Sequence, residues 1–143
     1  MYKALYCNRC RTRLTSPLDI RPAIESDSMR GLSKDGQDIA PQGVAYLSDR
    51  IAPWLGRYHG PLSFVPQYWL NPNDLADTVS DSADSRLTAG CCGVAGFNGP
   101  NQICRCKAVI GTLHDDCMWP SFFIPEPATT TMRDMTDDYW NYE

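Results

Sequence analysis

Seven cysteines in 143 residues constrain this chain more than any other feature. Cys7 and Cys10 stand together near the start, in LYCNRCRTRL, and five more lie in one later stretch, AGCCGVAGFNGPNQICRCKAVIGTLHDDC, residues 89–117. Because seven is odd, internal pairing cannot use every thiol. No long apolar run follows the first basic residue, so no signal peptide is read, and no stretch approaches the ~18 apolar residues that span a bilayer. A cytoplasmic location is the expectation. In a reducing compartment, cysteines act as metal ligands or buried thiols before they act as disulfides.

Zinc takes four ligands in a tetrahedron, most often thiolate and imidazole. A Cys-x-x-Cys turn aims two thiolates at one ion, and Cys7 and Cys10 have that spacing. Two thiolates do not close a structural site, and the nearest second pair is Cys104-Arg105-Cys106. That pair runs into AVIG, as a zinc-ribbon knuckle runs into a strand. Cys91 and Cys92 are neighbours, so in extended chain they point to opposite sides. One is available to a metal while the other packs inward or serves a second ion. Cys117, with His114 three residues earlier, offers completion of a second site. The competing reading makes Cys91, Cys92 and Cys117 small buried thiols. The expected cofactor is Zn2+.

A CxxC near the start, then Gly90-Cys91-Cys92-Gly93, Gly99-Pro100-Asn101, Cys104, Cys106 and Asp116-Cys117, resembles small uncharacterised bacterial zinc-ribbon-like proteins. The resemblance covers about a quarter of the chain and implies a structural metal without a catalytic role. In size and acidity the chain is also similar to bacterial immunity proteins that block a cognate toxin.

The length suits a single domain. The fold class expected is α+β, mostly short antiparallel strands with a zinc-ribbon-like knuckle region and long loops. Residues 1–127 form the zinc-stabilised domain, and residues 128–143 an acidic aromatic tail. YKALY, Val44 to Leu47, SFV, QYWL and Ser121 to Ile124 read as strands, with Arg11 to Leu18 returning as a hairpin arm. Asp74 to Val79 reads as a short helix capped by Asn73. Residues 80–85 read as a polar loop, and Met132, Met135 and Tyr139 have helical spacing. The aromatics Trp54, Tyr58, Phe64, Tyr68 and Trp69 read as core.

Formal net charge is -4 and uneven. Residues 1–13 carry Lys3, Arg9, Arg11 and Arg13 without an acid. From Asp115 onward seven acids face one base, Arg133. That balance favours a basic protein partner over nucleic acid. The partner-binding residues expected are Asp137, Asp138, Tyr139, Trp140 and Tyr142, where aromatics anchor and acids steer. The functional expectation is a non-catalytic protein-binding module, most concretely an immunity protein or antitoxin. The alternative is a zinc-ribbon nucleic-acid binder using Arg9, Arg11, Arg13, Arg105 and Lys107. Catalysis is not expected. Only His59 and His114 are available as bases, the glycines at 90, 93, 96 and 99 lack the Gly-Lys-Ser/Thr of a phosphate loop, and the deaminase signature is missing.

Overall fold

The sheet is built from both ends of the chain. In the computed structural model, which describes residues 2–26, 36–117 and 119–134, β1 (Tyr2–Cys7) is followed by β2 (Leu18–Pro22), β3 (Val44–Ser48), β4 (Gln67–Leu70) and β5 (Val79–Asp81). Then come β6 (Gln102–Cys104), β7 (Val109–His114), β8 (Phe122–Pro125) and β9 (Thr130–Asp134). They form one nine-stranded sheet in the order β5-β6-β7-β8-β4-β3-β2-β1-β9. All neighbours are antiparallel except β2 and β3. The sheet curls into a half-barrel.

The α+β expectation is wrong: the described chain is nearly all β, and its helical segments are short. Asp74 to Val79 does not form the expected helix. Asn71, not Asn73, accepts the capping bond, from Asn73 N–H at 2.8 Å, and the turn it starts, Pro72–Asp74, is a single 3-10 turn. Residues 79–81, read partly as helix and partly as loop, become β5 because Val79, Ser80 and Asp81 pair with Cys104, Ile103 and Gln102. Ladder pairing overrides local propensity here. The longest helical run among the described residues, Pro53–His59, is broken at Gly56, whose φ is 53°.

Why the central strands read as continuous apolar runs is plain from the packing. Alternate residues face opposite sides of a strand. Ala45, Leu70 and Phe123 enter one core with Leu5, Leu14, Leu18, Ile110 and Leu113. Their neighbours Val44, Tyr46, Trp69, Phe122 and Ile124 enter a second core on the other face. That second face is covered by Ala52, Leu55 and Leu62 and by Ile39 and Ala40, which belong to loops and 3-10 turns. Trp54 packs edge-on against Trp69 and Phe122, with ring centroids 4.7 and 5.1 Å apart. Each fully buried large side chain of this kind contributes about 1.5–3 kcal/mol. A proline-rich segment therefore does the covering that a helix does in an α+β fold.

YKALY, Val44 to Leu47 and QYWL fall in strands, as does Phe122 to Ile124 of the Ser121 to Ile124 segment, whereas SFV does not. The arm after the first knuckle returns along β1, with Arg13 opposite Tyr6, before β2 pairs Leu18 with Lys3. Residues 130–134 run beside β1 from Lys3 to Cys7, so part of the expected tail lies in the sheet.

Gly111 marks how tightly β7 and β8 are packed. A Cβ there would lie 2.3 Å from Phe123 Cζ and 2.7 Å from the Ile124 carbonyl oxygen. Gly111→Ala is therefore expected to destabilise the fold by about 1–3 kcal/mol, read as a lower midpoint in urea. An unchanged midpoint would show that the two strands are not packed this closely.

Candidate metal centre

Two knuckles supply the site. The first leaves the end of β1: Cys7 N–H donates to the Thr12 carbonyl at 2.9 Å, and Arg11 N–H donates to the Cys7 carbonyl at 2.8 Å. The second leaves the end of β6: Cys104 N–H donates to the Ala108 carbonyl at 2.9 Å, and Lys107 N–H to the Cys104 carbonyl at 2.8 Å. Each knuckle exits through a basic residue in the left-handed region, Arg11 at φ 63° and Lys107 at φ 75°. Side chains other than glycine rarely adopt that conformation. It appears one residue after the second cysteine of each turn.

β1 and β6 stand second from opposite edges of the sheet. Curling brings their ends together, and the sulfurs of Cys7, Cys10, Cys104 and Cys106 all lie within 4.8 Å of one another. Cys7 Sγ is 3.6 Å from Cys106 Sγ, and Cys10 Sγ is 3.5 Å from Cys104 Sγ. Disulfide sulfurs stand ~2.05 Å apart, so these are not bonded pairs. A tetrahedron with metal–sulfur bonds of ~2.3 Å has edges of about 3.8 Å. The cluster is close to that size without rearrangement.

The protonation of Cys7, Cys10 and Cys104 shows what crowding does. Burial pushes Cys104 up to about 12, and the neighbouring Cys10, Cys106 and Cys7 add to the effect against the Cys106 backbone N–H. Cys7 is also raised, chiefly by burial, although the backbone N–H groups of Cys10 and Arg9 oppose it. Burial raises Cys10 too, but there the Thr12 hydroxyl and backbone N–H and the thiols of Cys104 and Cys106 prevail and bring it down to about 6. One negative charge is thus favoured and further ones are resisted, as in any tightly coupled set. A bound cation removes that resistance. Arg9, Arg11, Arg105 and Lys107 are all exposed on the same two turns, which offsets the double negative charge of a divalent ion held by four thiolates.

Further contacts hold the sheet's two ends in place around the knuckles. Thr78 Oγ1 donates to the Arg13 carbonyl at 3.2 Å, and Ala76 N–H to the Leu14 carbonyl at 2.8 Å. Asn8 N–H donates to the Thr129 carbonyl at 2.9 Å, while Thr129 Oγ1 donates to the Val109 carbonyl at 2.6 Å.

The other cysteines form a separate group. Cys91, Cys92 and Cys117 have sulfurs within 4.8 Å of one another and are all exposed. Cys92 and Cys117 are joined by a disulfide, with Cα atoms 5.9 Å apart, and Cys91 is free. His114 belongs to neither group. Its ring is stacked on Phe122 at 4.6 Å and meets Phe97 edge-on at 5.1 Å, and its Nδ1 faces Gly96 N–H at 3.4 Å. Burial drives its pKa down to about 4, against the nearby Asp116 charge. At neutral pH it is an uncharged packing residue. Asp137, Asp138, Tyr139, Trp140 and Tyr142 lie outside the described residues. Sequence reasoning missed Thr12, whose Oγ1 is 3.0 Å from Cys10 Sγ, and the left-handed exits. The visible signal for the exits was a basic residue just beyond each knuckle.

Exposure orders the chemistry of the metal-free tetrad. Cys10 is exposed, Cys106 is half-buried, and Cys7 and Cys104 are buried. In protein stripped of metal, mass mapping after brief alkylation is expected to find Cys10 modified first among the four and Cys104 last. Zinc is expected to protect all four. Alkylation unchanged by zinc would show that the sulfurs do not share an ion.

Comparison with protein-family models, with curated proteins and with solved structures finds no match, so the reading rests on this chain's own geometry.

Proposed function

We propose that this chain is a zinc-stabilised, non-catalytic protein-binding module. The observation that carries the reading is the tetrad itself: Cys7, Cys10, Cys104 and Cys106 surround one point at tetrahedral spacing and join opposite ends of the curled sheet. Four thiolates on one ion close its coordination shell, as in structural zinc sites, whereas catalytic ones keep a position open. The buried, stacked His114 is poorly placed to act as a base on a substrate. Binding to another protein is supported by the apolar side chains left exposed in one groove: Ile24 at 74% and Leu47 at 38%. Pro22, Ala23 and Pro66 line the same groove. The acidic balance of the chain suits a basic partner. The most concrete form of the proposal is an immunity protein or antitoxin that neutralises a basic toxin.

A second reading is favoured by one observation. Arg9, Arg11, Arg105 and Lys107 are brought to one place by the two knuckles and are exposed there. A nucleic-acid binder would use such a patch on phosphate. Binding that weakens steeply with salt supports that reading, and salt-insensitive or undetectable binding removes it.

Metal analysis tests the main proposal. Protein purified without chelator is expected to contain zinc, and Cys104→Ser to lose the tetrad's ion. A structural zinc contributes about 10 kcal/mol to folding at neutral pH, comparable with the net stability of a whole domain. Chelation and Cys104→Ser are therefore both expected to unfold or loosen the protein, read by circular dichroism and thermal melting. A metal-free protein with an undiminished Tm would remove zinc from the account. Iron in place of zinc would replace the ion.

A further inference from the structure

We propose that Cys91, Cys92 and Cys117 form a second, surface zinc site, which the Cys92–Cys117 disulfide closes and reduction opens. It is independent of the tetrad, which uses four other cysteines. Three sulfurs within 4.8 Å of one another supply three ligands to a thiophilic divalent ion. The Asp116 carboxylate beside them is buried, at 5% exposed, in contrast to the three cysteines. Cys91 N–H donates to its Oδ2 at 3.1 Å, which turns Oδ1 toward Cys92 Sγ at 3.2 Å.

The loop around the cluster is shaped for it. A Cβ at Gly90 would lie 1.9 Å from the Gly93 carbonyl oxygen, and one at Gly93 would lie 2.1 Å from the Asp115 carbonyl oxygen. Asp115 N–H donates to the Val94 carbonyl at 2.7 Å, and Ala95 N–H to the Ala89 carbonyl at 3.1 Å. Only glycine lets the backbone of residues 90–93 wind this closely on itself and on residues 115–116. Cys117 N–H donates to Cys92 Sγ at 3.0 Å, the kind of backbone donation that stabilises a metal-bound thiolate. The vicinal Cys91-Cys92 pair, opposite Cys117, is thus held on a fixed frame.

The chemistry balances with a small thiol as reductant. Two equivalents of a monothiol, or one of a dithiol, break the Cys92–Cys117 bond and leave as the oxidised disulfide, while each protein sulfur gains a proton. Zinc then displaces one proton from each of the three thiols as it binds. Oxidation reverses the sequence: two thiolates give up an electron pair to the oxidant, the disulfide reforms, and the ion is released.

The experiment counts zinc in the full-length protein. Oxidised protein is equilibrated with Zn2+, desalted and measured by mass spectrometry of the metal. The same is done after anaerobic reduction with dithiothreitol and removal of the reductant. Reduction is expected to add one zinc per chain, and a thiol oxidant to release it while the peptide linked through Cys92 and Cys117 returns. Cys91→Ser, a surface change that leaves the fold intact, is expected to lose only the added zinc. Equal zinc content in both redox states, or an added zinc that persists in Cys91→Ser, overturns the proposal. Failure of the tetrad reads out separately, as oxidised protein without zinc or with zinc that Cys104→Ser does not remove.

Discussion

Four cysteine sulfurs from two distant stretches of chain crowd together close to tetrahedral spacing, and the rest of this structure is arranged around that constraint. Cys7 and Cys10 lie where β1 ends, and Cys104 and Cys106 where β6 ends, second from opposite edges of one sheet. An open sheet leaves unpaired backbone at its edges, which proteins must cover or close. Here the curl brings the two ends together, and the tetrad stands at the point where ladder hydrogen bonds do not join them. The Thr78, Ala76, Asn8 and Thr129 bonds described above close the remaining distance between them.

Such a staple is valuable because of how the cores are covered. The central strands β3, β4 and β8 bury both faces, one against Leu5, Leu14 and Ile110, the other against Ala52, Leu55 and Leu62. The second cover is loop and 3-10 turn, which lacks the self-supporting hydrogen bonding of a long helix. The first core contains Cys7 and Cys104 themselves. A metal held by the tetrad would therefore act on the same residues that hydrophobic packing buries. Losing the ion leaves crowded, partly buried thiols at the seam of a core.

The tetrad was legible in the sequence because Cys-x-x-Cys and Cys-x-Cys spacing encodes chelation locally, and the structure brings together the two pairs so inferred. The strands with strong apolar character were legible for a similar reason: QYWL and Ser121 to Ile124 show their burial in their composition. β5 was not, because Val79, Ser80 and Asp81 carry no strand signal and acquire their conformation from pairing with β6. His114 was misleading. A histidine three residues before a cysteine suggests a ligand, yet long-range packing places its ring on Phe122 instead. The Cys92–Cys117 pairing and the buried carboxylate beside it depend on contacts across 25 residues of chain, which spacing alone does not encode.

Hydrogen exchange of the metal-loaded protein, compared with the same protein after gentle chelation, tests the stapling most directly. The account predicts that removing the ion exposes the amides of β1, β6 and both knuckles far more than those of β3, β4 and β8, which the two cores hold independently. Protection lost uniformly along the sheet, or unchanged at β1 and β6, would contradict it, because the ion would then not be what holds the two ends of the sheet together.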